Sequence, residues 1–237
     1  MRSLRHRKTR RYRRSNAFYG GDIMNYRNGN KYNGNIENGK PNGYGTMIYS
    51  DGTIYEGNFV NGKRKGQGKI IYTNGDIYEG NFENGLPNGH GTITYASKNK
   101  YEGNFINGKR NGQCKITYAN GSVYEGPWTN DAMNGFGSMK YANGNKYEGI
   151  FENGFPNGQG TMRLANGDIY QGNFVNGAPN GRGIMIYENG TRKQINWKDG
   201  RQIGIPIPKL NEMYRQMSDI NFIPVDDTPI NSLFRNK

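Results

Sequence analysis

The feature that most constrains this chain is a period. Tyr32, Tyr55, Tyr78, Tyr101, Tyr124, Tyr147 and Tyr170 follow one another every 23 residues, with no insertion or deletion between them. A unit this short cannot bury an apolar face alone, so units must stack and share one continuous core. With that tyrosine as offset 0, glycine fills offset 2 from Gly34 to Gly172. Offset 4 reads Ile36, Phe59, Phe82, Phe105, Trp128, Phe151 and Phe174, and the same register lands on Trp197. Glycine returns at offset 7 from Gly39 to Gly200, with Asp131 the exception, and at offset 11 from Gly43 to Gly181.

Within a unit the pattern alternates with period two, which argues strands and not helices. Each unit reads as one hairpin. Offsets 0, 2 and 4 share a face of the first strand, and offsets 13, 15 and 17 share a face of the second. Those faces carry the apolar residues, so glycines lie between aromatics and leave room for rings to pack over bare backbone. The expected aromatic binding face is Tyr55, Phe59, Tyr72, Tyr78, Phe82, Tyr95, Tyr101, Phe105, Tyr118, Tyr124, Trp128, Tyr141, Tyr147, Phe151, Tyr170 and Phe174. Its exposed rings would anchor a partner. Asn-Gly or Asp-Gly pairs such as Asn74-Gly75 mark tight turns between units. The other loop, such as Asn61 to Gly66, reads as longer, variable in charge and suited to setting partner specificity.

These residues resemble the MORN repeat, the membrane occupation and recognition nexus family, whose unit reads roughly YEGxWxxGxxxGxGxxxxxxG. The match runs over about residues 20 to 200. The resemblance implies an elongated, all-β, antiparallel single sheet of stacked hairpins. Cys114 and Lys98 stand where glycine is expected, at offsets 13 and 20, and Pro127 follows Gly126. These departures predict local changes of turn geometry around the fourth and fifth units.

Only 32% of residues are hydrophobic and 37 are glycine, which excludes one large globular core. At about 4.8 Å between strands, two strands per unit give roughly 10 Å per repeat. The expected organisation is a basic tail over 1–17, then the array over 18–200, then an extension over 201–237. The array comprises a half-repeat at 20–29, seven full repeats at 32–192 and a partial eighth at 193–200. In the extension Leu210, Met213, Tyr214 and Met217 have helical spacing, predicting a short helix over about 209–218. The tail holds Arg2, Arg5, Arg7, Lys8, Arg10, Arg11, Arg13 and Arg14 and no acid, so of the net charge of +13 it supplies 8, leaving 13 − 8 = +5 for the rest.

Histidine occurs only as His6 and His90, and His90 reads as an exposed loop residue. Cys114 reads as a small buried replacement for glycine. Glu56, Glu79, Glu102, Glu125 and Glu148 recur at offset 1, where repetition in every unit argues pairing with nearby donors over metal binding. Glycine strings such as Gly66-Gln67-Gly68 lack the helix and lysine of a phosphate loop. No catalytic residue, cofactor site or metal site is expected, and the chain reads as a non-enzyme.

The leading functional reading is a protein-interaction scaffold of cytoskeletal or ciliary type, since the resemblance extends to arrays in radial spoke heads and cytoskeletal scaffolds. The alternative is peripheral binding to anionic membrane lipids through the tail, on the order of 1 kcal/mol per cation. Nucleic acid or an acidic tubulin surface is a third target for the same tail. An unpaired strand at either end of the sheet permits a homodimer. One cysteine and no long apolar run set the expected location as cytoplasmic, at the cytoskeleton or cilium, with a peripheral membrane site as the alternative.

Overall fold

The computed structural model describes residues 21–203. The basic tail and the short helix expected over 209–218 lie outside the described residues. Those residues form one open, antiparallel, 18-stranded sheet, with no helix among them. Strands pair in chain order: β1 (Asp22–Asn25) lies against β2 (Lys31–Glu37), and so on to β17 (Arg192–Lys198) against β18 (Arg201–Ile203).

The second full repeat shows the local construction. Its strands are β4 (Ile54–Val60) and β5 (Lys63–Ile71), followed by β6 (Ile77–Glu83) of the next repeat. The hairpin tip is a two-residue turn in which Asn61 and Gly62 both take left-handed φ, 49° and 80°. Asparagine and glycine tolerate that conformation, and the resulting twist matches the flanking strands. This corrects the expected long loop at residues 61–66, because β5 resumes at once at Lys63. His90 is corrected likewise: it is exposed, but it lies within β7 (Leu86–Thr94) opposite Asn104.

The sheet is not flat. Gly57 pairs with Gly68 and Phe59 with Arg64, so one residue of β4 faces three of β5, and Gly66 within that bulge has φ 71°. On its other side β5 pairs with β6 without interruption, from Gly66–Phe82 to Ile71–Ile77. Surplus residues on one edge bend a strand, and the same irregularity recurs in four other repeats. The size of the bend is visible in the bond from Arg110 Nη1 to the Tyr95 hydroxyl at 3.2 Å. Arg110 is offset 9 of one repeat and Tyr95 offset 17 of the one before. In a flat sheet about six residues along the strands, or roughly 20 Å, would separate them. Each hairpin therefore folds across its own aromatic side, and the core runs along the inside of the bend.

Both margins are stitched from repeat to repeat. At the tips, Gly62 N donates to Pro41 O at 2.8 Å and Gly108 N to Pro87 O at 2.8 Å. At the opposite margin, Asn145 Oδ1 accepts from Ala165 N at 2.9 Å, and Asp76, Asn99, Ser122 and Asp168 hold the next repeat in the same way. Asn145 and Ser122 are buried there, so these bonds are dry and specific. The departures fall where the sequence placed them. Lys98 adopts φ 70° in the glycine position and keeps the turn bond to Tyr95 O at 2.8 Å. Opposite Pro127 in β10 (Val123–Thr129), the partner strand breaks into β11 (Ala132–Met133) and β12 (Gly135–Lys140).

Candidate functional site

The aromatic residues expected as exposed anchors are buried. Tyr55, Phe59, Tyr72, Tyr78, Phe82, Tyr95, Tyr101, Phe105, Tyr118, Tyr124, Trp128, Tyr141, Tyr147, Phe151, Tyr170 and Phe174 are all at most 8% exposed. Parity along the strands put them on one face as expected. The bend then closes that face, which the alternation alone does not reveal.

Inside it, each offset-0 tyrosine lies along its own strand. Tyr55 donates its hydroxyl to Asn58 O at 3.0 Å, and Tyr78 donates to Asn81 O at 2.9 Å. The ring covers the two paired glycines of its unit: a methyl group on Gly68 would stand 2.5 Å from Tyr55 Oη. Edge-to-face contacts continue the layer, with Phe59 and Phe82 flanking Tyr55 at 5.0 and 5.1 Å between centroids. Trp197 closes it against Tyr170 at 5.9 Å. Such pairs contribute about 0.5–1.5 kcal/mol each beyond the area they bury. Burial pushes the phenols up, Tyr95 and Tyr170 to about 12. It pushes the Cys114 thiol up to about 12 as well, which leaves it protonated and small, the role expected of it.

Offset 9 supplies the cover from the hairpin tip. It is a buried proline in four repeats (Pro41, Pro87, Pro156 and Pro179), Met133 in one, and Arg64 or Arg110 in the others. Arg110 stacks 4.4 Å from the Trp128 ring and pairs with Asp131 at 2.9 Å. The irregular residues 110, 128 and 131 thus meet in one place. The sequence hinted at this only through the coincidence of exceptions.

The exposed side of the sheet is polar. The offset-1 glutamates are each engaged: Glu56 accepts from Tyr44 Oη at 2.8 Å, Glu79 and Glu125 pair with Lys69 and Lys115 at 2.7 and 3.0 Å, and Glu102 and Glu148 pair with Lys100 and Lys146 at 3.3 and 2.7 Å. The row beside them at offset 12, which the sequence places in exposed loops, lies on strands instead. There Tyr44, Gln67, His90, Gln113, Phe136, Gln159 and Arg182 are all exposed. Because offset 13 is glycine facing the core in every repeat but one, where it is Cys114, the outer rows at offsets 12 and 14 flank a strip of bare backbone. The result is a trough along the array. One stretch of about 530 Å³ passes His90, Gln113 and Phe136, and another of about 890 Å³ passes Phe136, Gln159 and Arg182. Two residues along a strand put the flanking rows roughly 7 Å apart between Cα atoms.

A family model for the MORN repeat matches seven consecutive windows: 32–54, 55–77, 78–100, 101–123, 124–146, 147–169 and 170–192. This chain is a MORN repeat protein. The windows of the MORN array start at the tyrosine whose ring covers the two glycines. No curated protein matches it. Among solved structures, the MORN array is similar to the SAS-4 (dCPAP) TCP domain of Drosophila melanogaster in complex with a proline-rich motif of Ana2 (dSTIL). That likeness is 15% identical over 79% of this chain and 96% of that one, with a TM-score of 0.43. It is also similar to the TCP10 domain of Danio rerio CPAP, 12% identical over 77% and 98%, with a TM-score of 0.32.

Proposed function

We propose that this MORN array is a non-catalytic scaffold for protein–protein interaction, acting in the cytoplasm at a cytoskeletal or ciliary assembly. The observation that carries the reading is the trough, which crosses several repeats on the side of the sheet that the core leaves free. Among the described residues the offset-0 and offset-17 phenols and the Cys114 thiol lie in or against the core, and the offset-1 glutamates are paired. The cytoskeletal or ciliary setting rests on the family resemblance. Affinity purification of the full chain from its native cells, at near-native salt, tests the proposal. Recovery of specific protein partners is expected, and recovery of none sinks it.

The second reading is peripheral binding to anionic lipid, favoured by eight cations and no acid within residues 1–14. Flotation with phosphoinositide vesicles, comparing the full chain with one starting near Phe18, tests it. Loss of salt-sensitive flotation on truncation supports the tail as the anchor, and equal flotation of both chains excludes it.

A further inference from the structure

The trough changes character along its length. In the middle repeats its carboxylates are neutralised by lysines, Glu102 by Lys100 and Glu125 by Lys115. In the last repeats the offset-1 acid is replaced by Gln171 and then Gln194. Glu148, the last of the row, is occupied by Lys146 at 2.7 Å and approached by Arg163 at 4.0 Å. Arg182 and Arg192, both exposed, line the same stretch. Neither has an acidic partner among the described residues. They sit on adjacent strands, Arg182 in β16 (Ala178–Ile186) and Arg192 opening β17, four residues apart in register because Ile186 pairs with Arg192. Two guanidinium groups without an acidic partner therefore stand on one face of this stretch, about 14 Å apart along the strands.

At the other end of this stretch stands Phe136, 68% exposed, in the same offset-12 row as Arg182. Where three other repeats carry glutamine in this row, Phe136 offers a large apolar side chain to solvent beside the trough. Phe136 and Arg182 are two repeats apart. At about 4.8 Å per strand that is roughly 19 Å, the span of about six residues of extended chain.

We infer that this end of the trough binds an extended acidic peptide, its carboxylates between Arg182 and Arg192 and an apolar residue about six positions away against Phe136. The inference rests on the scaffold reading and specifies its partner. Arginine forks suit carboxylates bidentately, and charge complementarity of this kind selects partners and speeds their encounter. A strip between two rows of side chains suits a single backbone better than the broad plane of a bilayer surface. Six extended residues span about two repeats, and because side chains alternate with period two, positions six apart face the same side of the peptide.

The test uses the full chain and a fluorescein-labelled synthetic dodecapeptide with leucine six positions before a Glu-Glu pair. Saturable binding that weakens with salt is expected. Arg182→Glu with Arg192→Glu should weaken it by about tenfold or more, the order expected for reversing complementary interface charges. Phe136→Ser should weaken it too, and Lys69→Glu, far along the same face, should not. Equal binding by the charge-reversed chain overturns the inference. So does binding of phosphatidylserine vesicles that requires these two arginines while the peptide is ignored. Native-cell purification separates the two levels. Partners retained in full by the charge-reversed chain remove this inference and leave the scaffold standing, whereas no partners with either chain removes the scaffold reading itself.

Discussion

Asp131 holds the guanidinium of Arg110 at 2.9 Å, and each stands where its repeat would otherwise carry a different residue. Arg110 takes the place of a covering proline and Asp131 the place of a turn glycine. Arg110 N also donates to Asp131 Oδ1 at 2.9 Å, so one carboxylate serves both backbone and side chain. The arginine side chain is 6% exposed, and its stability depends on the partner. Asp131→Asn should destabilise the array by about 3–5 kcal/mol, because it strands a buried charge. The paired change Arg110→Pro with Asp131→Gly, which restores the arrangement of Pro87 and Gly108, should recover most of that loss. Thermal unfolding of the single and double variants checks this, and additive losses would refute the coupling.

Two glycines of one strand should fail for different reasons. At Gly68 a methyl group meets the Tyr55 ring, with Oη at 2.5 Å and Cε2 at 2.6 Å. Gly68→Ala should cost about 1–3 kcal/mol by overpacking. At Gly66 space is open but φ is 71°, so Gly66→Ala should cost about 1–2 kcal/mol in backbone strain alone. Replacing Tyr55 with alanine in both backgrounds distinguishes them: the added cost of alanine at position 68 should vanish and that at position 66 persist.

Burial lifts the Cys114 thiol to about 12, so at neutral pH it is protonated and shielded. A thiol reagent should label the native chain only at the rate at which the fourth repeat opens, and should label denaturant-unfolded chain at once. Rapid stoichiometric labelling without denaturant would contradict the placement of this residue.

The core tyrosines give the array an alkaline limit. Their phenols are raised by burial from the ordinary value near 10, Tyr95 and Tyr170 to about 12. Between those values the folded state keeps protons that the unfolded state has released, so stability falls as pH rises. This contribution is complete below about pH 10 and is lost as pH climbs through 12. Tyrosinate absorbance and loss of the strand signal in circular dichroism should move together in one transition. Gradual titration near the ordinary value with the sheet intact would show the rings to be exposed.

The period, the hairpin unit, the glycine–tyrosine stacking and the paired glutamates were legible because each depends on residues close in sequence or one repeat apart. Tyr55 over Gly57 and Gly68 follows from parity and the absence of a Cβ. The bend was not legible. It arises from surplus residues opposite Asn58, and no count of alternation reveals a surplus until the register is known. For the same reason Phe82 and Tyr101 read as exposed anchors when they are the core. The hairpin tip was misjudged because Asn61-Gly62 was read together with Lys63 to Gly66, whereas the turn chemistry of the pair alone suffices. The buried clamps at Ser122 and Asn145 carried no signal, since that offset also holds threonine and aspartate. What identifies them is the neighbour's amide, which only the stacked arrangement supplies.

Because the ladder and both margins bond each repeat to its immediate chain neighbours, distance along this protein is quantised. Excising or duplicating 23 residues moves everything beyond by one step of about 10 Å and leaves the surrounding geometry unchanged. Two features of one offset on the polar side, such as Phe136 and Arg182, are separated by a whole number of such steps. The chain is in this sense a graduated ruler, and the number of repeats sets how far apart the residues of one row are held.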